Sequence, residues 1–254
     1  MIAVLLAATL TAQAPQSVYI EELTSPEIRA AIAAGKTTAI IYTGSTEQNG
    51  PHMVTGKHNF IAHWVAGQIA DSLGDALVYP TLPFAPTGDL SPPTGHMRFP
   101  GSVTISDQLF GSVAAAVARS AIAAGFKTVL LMGDHGSGQD ALARAAAALD
   151  SAWRPRGVRV FFVGDVYAKA RDEARAYLTA HHIEPGEHAG PDDTSELWAI
   201  DSTHRWIRAD RRVPGDSQNG VSGDPRQASP EMGRIFLGYK ISAAVAEIRR
   251  LRGR

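Results

Sequence analysis

The sequence predicts an α/β fold with a mainly parallel sheet covered by helices on both faces, and three observations carry that reading. Short, continuously apolar runs such as Thr37–Tyr42, Lys127–Met132 and Val158–Val163 lack the in-out alternation of a half-exposed strand. Amphipathic or alanine-rich stretches of helical length separate them. The chain has 254 residues, 44% of them hydrophobic, with no shift in composition along it, which is enough for one large core.

The apolar run Met1–Leu10 is followed by Thr-Ala-Gln-Ala14, whose Ala12 and Ala14 have the small-x-small form that signal peptidase reads. Residues 1–14 therefore read as a secretory leader, which predicts a periplasmic or secreted protein; a buried first strand is the alternative. The run is shorter than the roughly 20 residues that span a bilayer, so it is not a permanent anchor. Residues 15–254 read as a single domain.

Ser25 caps a helix that runs to Ala34 and stops at Gly35, and Thr37–Tyr42 is the first buried strand. The same grammar gives a helix over Phe60–Leu73, a strand over Ala76–Tyr79 and an alanine-rich helix over Ser106–Ala124. The strand Lys127–Met132, the helix Gln139–Trp153 and the strand Val158–Val163 follow. Two long segments, Pro80–Val103 and Asp210–Pro230, are rich in Gly, Pro, Ser and Asp and read as functional loops. There are no internal repeats.

Lys+Arg 24 against Asp+Glu 25 leaves a formal charge of −1, which excludes the basic footprint of a nucleic-acid or membrane-surface binder and favours a small-molecule partner. With no cysteine there are no disulfides or thiolate nucleophiles, so any metal must be held by His and carboxylate.

Parallel sheets present ligands at the carboxyl ends of their strands. There the chain has Gly44-Ser-Thr-Glu-Gln-Asn-Gly-Pro-His52 and Gly56-Lys-His-Asn59, which place Glu47, His52 and His58 in one strand-to-helix loop. Gly133-Asp-His-Gly-Ser-Gly-Gln139 puts His135 on a glycine-rich turn at the same edge, and Glu187-His-Ala-Gly-Pro-Asp-Asp-Thr-Ser195 is a third cluster. Glu47, His58 and His135 make the carboxylate-and-two-imidazole set of a catalytic zinc, whose open position acidifies a water molecule.

These clusters resemble the creatininase (creatinine amidohydrolase) family, whose motifs are close to Gly-Ser-x-Glu-Gln-His-Gly-Pro-His-Leu-Pro-Leu-x-x-Asp, Asn-Gly-His-Gly-Gly-Asn and His-Ala-Gly-x-x-Glu-Thr-Ser. His96-Met-Arg-Phe-Pro-Gly101 is similar to the family's His-x-x-Phe-Pro-Gly-Thr segment. Gly220-Val-Ser-Gly-Asp-Pro225, with Glu231-Met-Gly233, resembles its C-terminal region. The five matches fall in family order over roughly residues 20 to 250.

The resemblance implies a creatininase-like three-layer sandwich, zinc or manganese at the strand ends, and a homohexamer. It implies hydrolysis of a C–N bond in a small, creatinine-like cyclic amide. Glu47 and His135 match family metal ligands, and His58 stands where the family has a ligating Asp. Asn49 and Ser137 occupy positions of second-metal ligands but are poor donors to a transition metal. The expectation is one firmly bound ion, zinc before manganese, with at most a weak companion.

His188 matches the family histidine read as the general acid for the leaving nitrogen, with a loop-fixing hydrogen bond as its alternative role. Asp193 stands at a family Glu and would reach a metal or orient the water. His52 and His96 read as substrate contacts or as supports for a ligand. Trp153, Trp198 and Trp206 read as pocket lining or as packing. Two other functions stay open: a peptide-trimming metallohydrolase and a non-catalytic binding protein.

Overall fold

The computed structural model describes residues 17–216 and 218–253, so the leader lies outside the described residues. Four strands, β1 (Thr38–Thr43), β2 (Ala76–Val78), β3 (Thr128–Gly133) and β4 (Arg159–Phe162), form one sheet in the order β2-β1-β3-β4. Every neighbouring pair is parallel; β1 and β3 run in register from Thr38 opposite Thr128 to Thr43 opposite Gly133.

Among the described residues seven α-helices accompany the sheet: α1 (Ser25–Ala33), α2 (Lys57–Leu73), α3 (Asp107–Ala124), α4 (Gln139–Trp153), α5 (Ala168–Ala180), α6 (Pro191–Ile200) and α7 (Pro230–Leu251). Successive strand residues point to opposite sides. Ile40, Tyr42, Leu130 and Met132 pack with Ile61 and Val65 of α2, Leu197 of α6 and Leu237 of α7. Ala39, Ile41, Val129 and Leu131 pack with Ala31 of α1, Ala118 and Ile122 of α3, and Ala146 and Leu149 of α4. The result is the expected three-layer arrangement, and burial on both faces is why the strands read as unbroken apolar runs.

The strand edges move by about a residue from the sequence reading, within the usual play of element boundaries. A larger difference is that α2 begins at Lys57, not Phe60, so His58 sits in a helical first turn and not in the loop. Apolar periodicity misses this turn because Lys57 and His58 are polar yet buried. The sequence reading also assigned no helices α5, α6 or α7. Charged residues break up α5, and α6 opens on Pro-Asp-Asp inside a segment read as a site loop. In α7, Ser229 caps the start, its hydroxyl accepting from the Met232 amide.

The stretches 80–103 and 210–230 are irregular connections with only short 3-10 turns, among them Gly95–Arg98 and Pro225–Gln227. No described helix is long and apolar enough to cross a membrane.

Candidate metal centre

Glu47 lies beyond the end of β1, and its carboxylate is fully buried. The strand can deliver it there because Gly44 has no side chain: a Cβ at that position would lie 2.2 Å from Asn59 Oδ1 in the first turn of α2. Ser45 Oγ donates to Glu47 Oε2 at 2.7 Å. His58 Nε2 approaches Oε1 at 3.1 Å, and His135 Nε2 approaches Oε2 at 2.8 Å. Burial pushes the Glu47 carboxyl up, but the charges and hydrogen bonds of His58 and His135 outweigh it and hold the group ionised, well below the usual carboxylate range.

The two rings are backed differently. His58 Nδ1 donates to Asp134 Oδ2 at 2.7 Å and Nε2 to Glu47 Oε1, so the ring lies between two carboxylates, and a cation bound at Nε2 would take the place of that proton. Asp134 is itself held by Lys240 Nζ, 2.6 Å from Oδ1, and Lys240 reaches Glu196 at 2.8 Å. Burial and Lys57 push the His58 pKa down, yet Glu47 and Asp134 leave it raised. His135 Nδ1 sits 3.2 Å from the Ser137 amide and 3.4 Å from the Ser137 carbonyl, so either tautomer finds a partner.

Glu47, His58 and His135 together place one ligand-type atom each within 4.8 Å of the others. Three convergent N and O donors, all buried and one backed by a carboxylate, suit a borderline divalent ion such as zinc. They line a cavity of about 250 Å³ together with His96, Ser137, His188, Asp193, Lys57, Tyr167 and Arg171.

His188 belongs to the segment leading into α6. Its Nε2 lies 2.8 Å from the Gln48 carbonyl oxygen, and its Nδ1 lies 3.7 Å from Glu47 Oε1. Burial, with Lys57 adding to it, pushes its pKa down to about 3. The ring is therefore neutral, with Nε2–H on the Gln48 carbonyl and the Nδ1 lone pair towards Glu47. His96, on the Gly95–Arg98 turn, places Nε2 3.8 Å from Glu47 Oε1.

Asp193 accepts from Lys57 Nζ at 2.6 Å and from the Ala189 amide at 2.7 Å. Burial raises the Asp193 pKa, but Lys57 brings it well below the usual range. Asn49 and His52, by contrast, do not line the cavity. The Asn49 amide donates to the carbonyls of Glu47 and Val54, and His52 Nε2 meets Thr194 Oγ1 at 2.9 Å. Both brace the loop from outside the cavity lining. The tryptophans also stay outside the cavity: Trp206 stacks on Phe60 at 4.1 Å, Trp198 lies under Arg212, and Trp153 pairs with Arg156.

Sequence reasoning missed Gln48, Lys57, Asp134, Glu196 and Lys240. The first three adjoin residues already singled out, so a buried polar neighbour beside each proposed ligand was the available signal. Glu196 and Lys240 lie inside α6 and α7 and carry no local mark.

Residues 21–248 match the family model for creatininase, described as creatinine amidohydrolase. The mycofactocin precursor peptide peptidase of Mycolicibacterium smegmatis is 28% identical over 222 residues, covering 83% of this chain and 84% of that protein. The creatinine amidohydrolase of Pseudomonas putida is 28% identical over 120 residues, 47% of this chain and 45% of that one. A crystal structure of a creatinine amidohydrolase superposes with TM-score 0.77 at 21% identity, covering 93% of this chain and 98% of that chain. With the family model spanning nearly the whole chain and the fold shared, the protein belongs to the creatininase family.

Proposed function

We propose that this chain is a metal-dependent amidohydrolase that cleaves the C–N bond of a small, creatinine-like cyclic amide. The observation that carries the reading is the convergence of Glu47, His58 and His135 on one point in a polar cavity of about 250 Å³. That volume suits a small substrate, lying just under the roughly 300 Å³ at which drug-sized pockets begin.

A divalent ion held by these three residues would supply Lewis acidity, polarising the amide carbonyl and lowering the pKa of a water molecule. Creatininases of this fold include a manganese form and a Zn–Zn form, and the His-rich donor set here favours zinc, with manganese second. Asn49 is turned to main-chain carbonyls and Ser137 is a weak donor, so one firm ion fits this chain, with at most a weak companion. His188 Nδ1 accepts the proton of the attacking water and returns it to the departing nitrogen. Asp193, pinned by Lys57, orients the water.

A second reading, the trimming of short peptides, is favoured by the alignment with the mycobacterial peptide peptidase over most of both chains. Turnover assays with the zinc- and manganese-loaded protein separate the two: we expect ring opening of small lactams. Cleavage of short peptides alone would move the assignment to the second reading. No turnover of either would leave a binding protein on this fold. Export through the leader of residues 1–14 and assembly as a homohexamer belong to the same proposal, and N-terminal sequencing and sedimentation of the secreted protein test them.

A further inference from the structure

Glu47, His96 and His188 also bring ligand-type atoms within 4.8 Å of one another, which resembles a second cation site. The hydrogen bonds behind the two rings argue for a different use. A carbonyl oxygen only accepts, so His188 Nε2, 2.8 Å from the Gln48 carbonyl, carries the proton and Nδ1 is the lone pair facing Glu47.

His96 is presented the other way round. The Gln48 side-chain oxygen accepts from the Gly50 amide at 2.9 Å, and its nitrogen donates to the Gly220 carbonyl at 3.1 Å. These two main-chain contacts fix which end of the amide is nitrogen. That nitrogen lies 3.1 Å from His96 Nδ1 and can only donate to it. The proton of His96 therefore sits on Nε2, the atom that faces Glu47. A ring nitrogen that carries a proton cannot ligate a cation. Gly220 keeps the arrangement possible: its φ is +68°, and a Cβ there would meet Gln48 Oε1 at 2.3 Å. The turn that carries His96 is anchored by its own amide, which donates to the Thr87 carbonyl at 2.9 Å.

We propose that Gln48 is a positioning residue that gives the two histidines opposite tasks: His188 offers the centre an acceptor, and His96 offers it an Nε2–H donor for the substrate carbonyl oxygen as negative charge develops there. The proposal rests on the hydrolase reading. A neutral imidazole N–H is a competent electrophile, and a preorganised donor of this kind is worth roughly 10²- to 10³-fold in kcat.

The test uses the full chain, labelled with ¹⁵N-histidine and loaded with one equivalent of zinc, in long-range proton–nitrogen spectra. Both rings are expected as neutral Nε2–H tautomers. Gln48→Met should leave His188 unchanged, because its partner is the main chain, while His96 becomes a mixture of tautomers. Inorganic phosphate, used as a tetrahedral oxyanion probe, should shift the Nε2–H proton of His96 downfield in the wild type. His96 bound to zinc through Nε2, or found as the Nδ1–H form, or unmoved by phosphate, would overturn the proposal. In activity, Gln48→Met and His96→Gln should lower kcat by at least 10-fold with KM little changed and zinc content intact. A wild type inactive on every amide would sink the hydrolase reading, while the ring spectra would still decide the assignment of the two histidines.

Discussion

The two histidine pairs around Glu47 differ in what stands behind them. His58 is backed by the Asp134 carboxylate, itself anchored by Lys240, whereas His96 and His188 are backed by the amide and the carbonyl of one residue, Gln48. A carboxylate takes the Nδ1 proton and frees Nε2 for a metal; an amide nitrogen holds a lone pair and turns the ring's N–H inward. The same side chain thus becomes a ligand or a hydrogen-bond donor according to its partner, and identity alone does not tell which.

The comparison can be broken at four points. Glu47 is common to both sides, so Glu47→Gln should abolish metal retention and reduce turnover to background, read by elemental analysis and assay. Next is Lys57, fully buried against Asp193. Removing one partner of a buried pair costs about 3–5 kcal/mol, so Lys57→Met should lower the denaturant midpoint sharply, and Lys57→Met/Asp193→Leu together should recover much of the loss. Asp134→Asn acts only on the His58 side, and loss of such a ligand support typically costs about 10- to 100-fold in metal affinity. Competition against a zinc chelator should show that drop, while the phosphate response of His96 persists.

The smallest effect is on pH dependence, and the two sides should pull in opposite directions. Burial, reinforced by Lys57, depresses His188 to about 3, and burial, reinforced by Arg212, depresses His52 to about 4. Groups with lowered folded pKa contribute stability above the unfolded value of about 6.5, and that contribution drains away as pH falls towards 4. His58 has a raised pKa, so its contribution is present below about 6.5 and is lost as pH rises through its folded value. Thermal melts of the metal-free protein between pH 4 and 9 should show His188→Gln flattening the acid limb and His58→Gln removing the fall in stability that sets in above about pH 6.5.

Much of this was legible in the sequence, for physical reasons. Strands β1, β3 and β4 were readable because burial on both faces leaves their centres continuously apolar. Glu47 and His135 were readable because each follows such a strand on a tight, glycine-bearing turn. The start of α2 was not, since its first turn buries Lys57 and His58 against charges and so carries no apolar period. The charge pairs were equally hidden: Lys57 and Asp193 are 136 residues apart, and Asp134 and Lys240 are 106 apart. The packing of α6 against α2 brings the first pair together, and Lys240 reaches from α7 to Asp134 just past the end of β3.

The most direct test of the account is the metal content of the chain purified without chelators, measured per protomer for the wild type and for His58→Ala, His135→Ala and His96→Ala. The account predicts about one equivalent of zinc or manganese in the wild type and in His96→Ala, and its loss from the other two. A wild type that holds no metal even after reconstitution, or a metal retained when His58 and His135 are both removed, would contradict it.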